Sequence, residues 1–140
     1  MQKTVYIIKP EAFASREAIR KIIINNKLTI CDFRSLVLPK KVLNGLYSDL
    51  TIELKRVTYL MFSSEVEIGL IEGQDAIRRL YILSGTKTSP SHCKKGTIRY
   101  LFGIKRPFVF DQVIYYANAF HRSKTIEEAR RDTYLFNSLL

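Results

Sequence analysis

Thr4-Val5-Tyr6-Ile7-Ile8 is a run of β-branched and aromatic residues stopped by Lys9-Pro10, where proline withholds a backbone donor and fixes its own φ; a first strand is predicted over residues 4–8. Ala18, Ile19, Ile22 and Ile23 recur at helical spacing behind Ser15, a helix-capping residue type, and predict a helix over residues 16–26. Leu28 to Leu38 reads as a second strand. From Lys40 to Ser63, Val42, Leu43, Leu46 and Tyr47, then Leu54, Val57, Tyr59, Leu60 and Met61, predict one or two helices interrupted at Gly45 and Asp49. Val66 to Ile71 predicts a third strand closed by Glu72-Gly73, and Ile77, Leu80 and Tyr81 predict a helix from Asp75 to Leu83 that Gly85 ends. Ile114 to Phe120 reads as the last strand, before Thr125-Ile126-Glu127-Glu128, a capping box that opens a helix through Phe136.

This order contains the βαββαβ pattern of an α+β, ferredoxin-like sandwich: an antiparallel sheet with helices on one face, extra helices and a loop insertion. Such a fold hosts RNA binders, metal chaperones and phosphotransferases alike, so function must come from a site. With 46% hydrophobic residues in 140, the chain is expected to form one domain over residues 1–140. No apolar run approaches the roughly 18 residues of a membrane helix, and the chain enters a strand pattern almost at once, which argues against a signal peptide. Cys31 and Cys93 form no CxxC pair and are expected to be free thiols in a reducing, cytoplasmic setting. The excess of 23 Lys+Arg over 13 Asp+Glu, a net +10, attracts nucleotides, nucleic acid or acidic lipid headgroups without choosing among them.

Candidate chemistry narrows that choice. From Gly85 to Gly96 the composition shifts to Thr, Ser, Pro, Lys and Gly, a loop whose backbone N–H groups and hydroxyls suit phosphates. Of the two histidines, His92 lies in this loop and His121 stands at the end of the last predicted strand, just before a capped helix. An imidazole there can meet a phosphate, because unpaired amides and the helix dipole favour negative charge. On position alone, a half-buried structural histidine is the commoner outcome.

Four separated segments tip the balance: Tyr6-Ile7-Ile8-Lys9-Pro10-Glu11-Ala12, Glu72-Gly73, Gly96-Thr97-Ile98-Arg99 and Asn118-Ala119-Phe120-His121-Arg122-Ser123, followed by an amphipathic helix ending in Tyr134-Leu135-Phe136. In this order over nearly the whole chain they resemble nucleoside diphosphate kinase. The resemblance implies transfer of the γ-phosphate of a nucleoside triphosphate to a nucleoside diphosphate by a ping-pong route through a phosphohistidine at His121. It assigns Asp132, where the family usually has a glutamate, to orienting His121, with Ser123 supporting that carboxylate. Lys9 is implied to approach the transferring phosphate, against the alternative of a solvated strand-end lysine. Arg99 is implied to bind phosphate, against a surface salt bridge. Thr88 is implied as a hydroxyl donor, with Lys87 as the competing assignment; Asn118 contacts the sugar hydroxyl, and Tyr47 precedes the base-clamping helical hairpin. The implied cofactor is Mg2+ held mainly by substrate phosphates, with no protein metal ligand; the implied state is a homo-oligomer, although the C-terminal extension many relatives use in assembly is largely missing.

The departures from the family pattern are specific. Tyr81 falls where the family has a second phosphate arginine, and Arg78, one turn earlier on the same face, is the expected substitute. The stacking phenylalanine has no counterpart, because the segment from Leu50 to Lys55 is short. Arg122 replaces a glycine and Lys124 an acidic residue, changes that make the pocket more positive and are a second way to offset the missing arginine. The stretch from Arg99 to Asn118 is longer than the family's by roughly a short hairpin; it either packs over the site or forms a subunit contact, or merely extends the core. Two other functions compete: a catalytically impaired kinase-like domain that binds nucleotide or a protein partner, and, more weakly, a single-stranded nucleic-acid binder without an RNP-like strand motif.

Overall fold

The computed structural model describes residues 1–139. The elements run β1 (Gln2–Ile8), α1 (Arg16–Asn25), β2 (Thr29–Leu36), α2 (Lys40–Leu46), α3 (Ile52–Met61), β3 (Val66–Gly73), α4 (Ala76–Ser84), α5 (Ile98–Phe102), β4 (Phe108–Phe110), β5 (Val113–Tyr115), β6 (Phe120–Arg122) and α6 (Ile126–Asn137), with 3-10 turns at Pro10–Ser15 and Pro90–His92. Strands β2-β3-β1-β6 form one sheet in that order, and every neighbouring pair is antiparallel.

Strand β1 sits inside the sheet and is apolar on both faces, which is why its sequence is a continuous hydrophobic run rather than an alternation. Tyr6 and Ile8 point to one face and pack with Ile19 and Ile23 of α1 and Ala76 and Leu80 of α4. Val5 and Ile7 point to the other and meet Val42, Leu43 and Leu46 of α2, Phe62, and Phe136 of α6. The two crossover helices α1 and α4 thus share one face, as the ferredoxin-like reading expects, and the second face is covered by α2 and α6. Gly69 of β3 is required by this packing: a Cβ there would lie 2.4 Å from the ring of Tyr6, whose hydroxyl donates to the buried Glu67 at 2.7 Å.

Local capping follows the sequence in part. Thr125 accepts from Glu128 N, and Glu128 accepts in turn from Lys124 N, so the predicted box opens α6. Ser15 stands before α1 but its side chain makes no capping bond, because the 3-10 turn starting at Pro10 already leads the chain into the helix. Gly45 does not break α2; the helices separate between Tyr47 and Thr51, where Thr51 caps α3.

The last strand is a correction. Residues 114–120 do not form one strand: Val113–Tyr115 pairs with Phe108–Phe110 as a hairpin, and only Phe120–Arg122 joins β1. The backbone turns sharply between them. Phe120 N donates to Asn118 O at 2.9 Å across Ala119, whose φ is 75°, a γ-turn that no alternation of apolar residues reveals. The hairpin is the insertion noted from its length, and it packs on α3, with Val57, Tyr115 and Ala117 in one small cluster. Helix α5, capped by Thr97, was not predicted; at five residues it is too short for periodicity to register. Cys31 is exposed, Cys93 is buried, and both are free. No helix among the described residues is long and apolar enough to cross a membrane.

Candidate active site

The γ-turn that splits the predicted strand also aims the site. A left-handed backbone at a residue with a side chain costs about 1–3 kcal/mol, which the surroundings must offset. Here Ala119 O accepts from Lys9 N at 2.8 Å and Ala119 N donates to Glu11 Oε2 at 2.9 Å. Two residues further on, His121 leaves the sheet opposite Ile7.

His121 is braced from behind. Its Nε2 lies 3.2 Å from Asp132 Oδ2, and that oxygen also accepts from Ser123 Oγ at 2.8 Å, while Asp132 Oδ1 accepts from Arg131 Nε at 2.9 Å. Asp132 is fully buried. Burial alone would raise its pKa, but the bonds from His121 and Ser123 and the charge of Arg131 hold it below the usual carboxylate range. Burial pushes the imidazole's pKa down, outweighing the pull of Asp132, and Arg122 and Arg99 add to the fall. An ionised carboxylate facing a neutral ring fixes the proton on Nε2 and leaves Nδ1 with its lone pair; Nδ1 has no hydrogen-bond partner among the described residues. Tyr47 packs edge-on against the ring at 5.4 Å between centroids, and the shorter aspartate still reaches Nε2.

Three buried cations surround this histidine. Lys9 is 5% exposed, so it is not a solvated strand-end lysine. Its Nζ donates to Asn118 Oδ1 at 3.2 Å and Tyr116 O at 3.4 Å, lies 3.7 Å from Glu11 Oε2, and sits over the rings of Tyr115 and Phe62. Burial lowers its pKa to about 8; Arg99 adds to the shift, and Glu11 opposes it. Nor does Arg99 make a surface salt bridge among the described residues. It is buried, donates Nε and Nη2 to Phe120 O and Nη1 to Lys87 O, and burial lowers its pKa. Arg122 is the third. Asn118 completes the frame, accepting from Lys9 and donating Nδ2 to Thr88 O at 3.0 Å.

Lys9, Tyr47, Thr88, Arg99, Asn118 and His121 line one cavity of about 150 Å³ together with Leu50, Leu54, Thr58 and Ile114–Tyr116. An adjoining cleft of about 310 Å³ shares Tyr47, Thr88, Arg99, Asn118 and His121 and adds Asp49, Arg122, Lys124, Glu128 and Arg131. Of the residues predicted from sequence, these six therefore converge, with Asp132 and Ser123 directly behind His121. Two do not join them. Arg78 is three-quarters exposed, pairs with Asp75 on α4 and lines neither cavity; the turn of α4 that carries it faces solvent. Tyr81 lines neither cavity and instead lies under the guanidinium of Arg122. Lys87, the competitor of Thr88, contributes its carbonyl to Arg99. Sequence reasoning missed Glu11, which braces Lys9 and the γ-turn, Arg131 beside Asp132, and Phe62 and Tyr115 around Lys9. Glu11 lay within a quoted motif; the others are brought in by packing alone. The insertion packs over the site, since Ile114, Tyr115 and Tyr116 form part of its wall.

An imidazole held by a carboxylate, open on the other nitrogen to a cleft of buried cations, is the chemistry of a phosphotransferase site. The family model described as Nucleoside diphosphate kinase matches residues 2–139, and the chain belongs to that family. The family's enzymes exchange the γ-phosphoryl group between nucleoside tri- and diphosphates. Among solved structures, the nucleoside diphosphate kinase of Aquifex aeolicus is 21% identical, with a TM-score of 0.79 over 96% of this chain and 94% of that one. That of Borrelia burgdorferi, solved as a transition-state mimic with bound vanadate and ADP, is 22% identical, with a TM-score of 0.80 over 96% of this chain and 86% of that one. The apo enzyme of Encephalitozoon cuniculi is 26% identical, with a TM-score of 0.73 over 97% of this chain and 88% of that one. No curated protein matches the sequence.

Proposed function

We propose that His121 carries the phosphoryl group in this chain and that Lys9 and Arg99 stabilise its transfer. The supporting observation is the bond from His121 Nε2 to the buried Asp132 beside two buried cations. In the first half-reaction the Nδ1 lone pair attacks the γ-phosphorus of a nucleoside triphosphate; an N–P bond forms, the bridging P–O bond breaks, and the electron pair leaves on the nucleoside diphosphate. In the second, a terminal β-phosphate oxygen of an acceptor diphosphate attacks the phosphohistidine, the N–P bond breaks, and the lone pair returns to Nδ1. Asp132 disperses the charge that develops on the ring, and Lys9 and Arg99 offset that on the phosphoryl oxygens. Asn118 and Thr88 line the same cavity, in reach of the nucleotide's sugar hydroxyl and phosphates on this reading.

The rest of the lining is largely apolar, with Leu50, Leu54 and Ile114 beside Tyr115 and Tyr116. It replaces the absent stacking phenylalanine with shape alone, so nucleoside selectivity should be low. Among the described residues no cluster of three or more His, Cys, Asp or Glu could hold a metal, and the cavity presents mainly cations and apolar groups. The family uses a divalent ion with its nucleotide; magnesium, reluctant to shed water, would arrive on the phosphates and screen their charge.

The test is incubation with γ-labelled ATP. The wild type should become labelled in an acid-labile, alkali-stable form and pass the label to several nucleoside diphosphates, and His121→Ala should take up none. A folded wild type that stays unlabelled, or a labelled His121→Ala, removes the reading.

A further inference from the structure

Arg122 is nearly as buried as its neighbours, at 4% exposed, yet no salt bridge to either Arg122 or Arg99 forms among the described residues. Protein groups account for only part of its guanidinium. Nε donates to Ser84 Oγ at 2.8 Å, Nη2 donates to Gly85 O at 2.9 Å, and the aromatic ring of Tyr81 lies 4.5 Å from its central carbon. Nη1 has no hydrogen-bond partner among the described residues, and the residue lines the cleft that also holds Arg99, Thr88 and His121.

Two guanidinium groups facing one cleft, with its carboxylates Asp49 and Glu128 paired to neither among the described residues, are electrostatically incomplete. Burial lowers the pKa of Arg122 to about 9, Arg99 lowers it further, and Glu128 acts on it only from beyond salt-bridge range. Such a pair is completed by a ligand carrying several negative oxygens, to which planar forks donate in parallel. Ser84, Gly85 and Tyr81 hold the fork in place, so little side-chain freedom is lost when a ligand arrives.

We propose that Arg122 is a second phosphate-binding residue of the cleft, acting with Arg99 on the polyphosphate of the nucleotide, and that Tyr81 is its positioning platform. The role expected of Arg78 thereby falls to β6. The proposal rests on reading the cleft as a nucleotide site, and it is tested with a ligand that lacks base and sugar.

Inorganic tripolyphosphate is titrated calorimetrically into the full chain and into Arg122→Met, which keeps an apolar stem over Tyr81. The wild type should bind, and the variant should bind tenfold or more weakly, as loss of charge-assisted bonds implies. A wild type that does not bind, or a variant with unchanged affinity, overturns the proposal and leaves Arg122 as a cap for the end of α4. Should Arg122→Met fail to fold, Arg122→Lys keeps a cation at that helix end but loses the fork; its affinity should fall at least threefold with the unfolding midpoint retained, and equal affinity overturns the proposal. Labelling by γ-labelled ATP in the same preparations separates the two claims. Without label in the wild type but with Arg122-dependent tripolyphosphate binding, phosphotransfer fails and this proposal stands; with label but no dependence on Arg122, the reverse holds.

Discussion

Replacing Asp132 with asparagine alters one atom of a buried group and should nonetheless cripple phosphorylation of His121. In the native site Oδ2 accepts from both His121 and Ser123 while Oδ1 accepts from Arg131. An asparagine has two ways to lie there. With its NH2 toward His121, it donates to Nε2, the ring proton must move to Nδ1, and the lone pair that attacks phosphorus is gone. With its NH2 toward Arg131, it sets donor against donor and forfeits a buried charge-assisted bond. Either arrangement costs about 1.5–3 kcal/mol, or roughly ten- to 150-fold at about 1.36 kcal/mol per decade. Quenched-flow labelling with γ-labelled ATP at saturation measures the phosphorylation step directly, and circular dichroism checks folding. A folded Asp132→Asn phosphorylated within twofold of the wild-type rate would show that the carboxylate sets neither tautomer nor charge.

Three more outcomes follow from the same geometry. The proposed route uses a neutral His121 and a charged Lys9; with the imidazole's pKa below the ordinary 6.5 and that of Lys9 near 8, kcat/KM should stay level through neutrality, drop only well into acid, and decline as pH rises past about 8. Lys9→Arg should abolish the alkaline decline, and a profile still falling near pH 8 in that variant would assign it elsewhere. Ala119→Gly should keep or raise stability in urea unfolding, because relief of about 1–3 kcal/mol of strain exceeds the about 0.4–1 kcal/mol of added unfolded-state freedom; a loss above about 1 kcal/mol would show that the turn is unstrained. Gly69→Ala should lower stability by about 1–3 kcal/mol as its methyl meets the Tyr6 ring, and an unchanged denaturation midpoint would contradict that contact.

The order of strands and helices was legible because each element repeats its apolar residues at its own period: a two-face-buried run in β1, helical spacing in α1, α4 and α6. His121, Asp132, Ser123, Lys9, Arg99 and Asn118 were legible as motif positions, and chain order alone nearly suffices to gather them, since β6 must pair beside β1 to complete the sheet. Arg78 misled because helical spacing tells which residues share a stripe, not whether that stripe faces a cleft. The strand over residues 114–120 misled for a related reason. Apolar composition continues through a γ-turn that is held by contact with Glu11 and Lys9, residues more than a hundred positions away.

What this sequence determined by itself, then, is the alternation of elements and the chemical types at the site, because propensity and periodicity act over a few neighbours. Only the tertiary structure decided which of those groups are buried, that Nε2 of His121 faces Asp132, and that Arg122 rather than Arg78 lines the cleft. Burial, an unpaired guanidinium nitrogen and a shared carboxylate oxygen are properties of side chains brought together across the sheet, and no local stretch of sequence contains them.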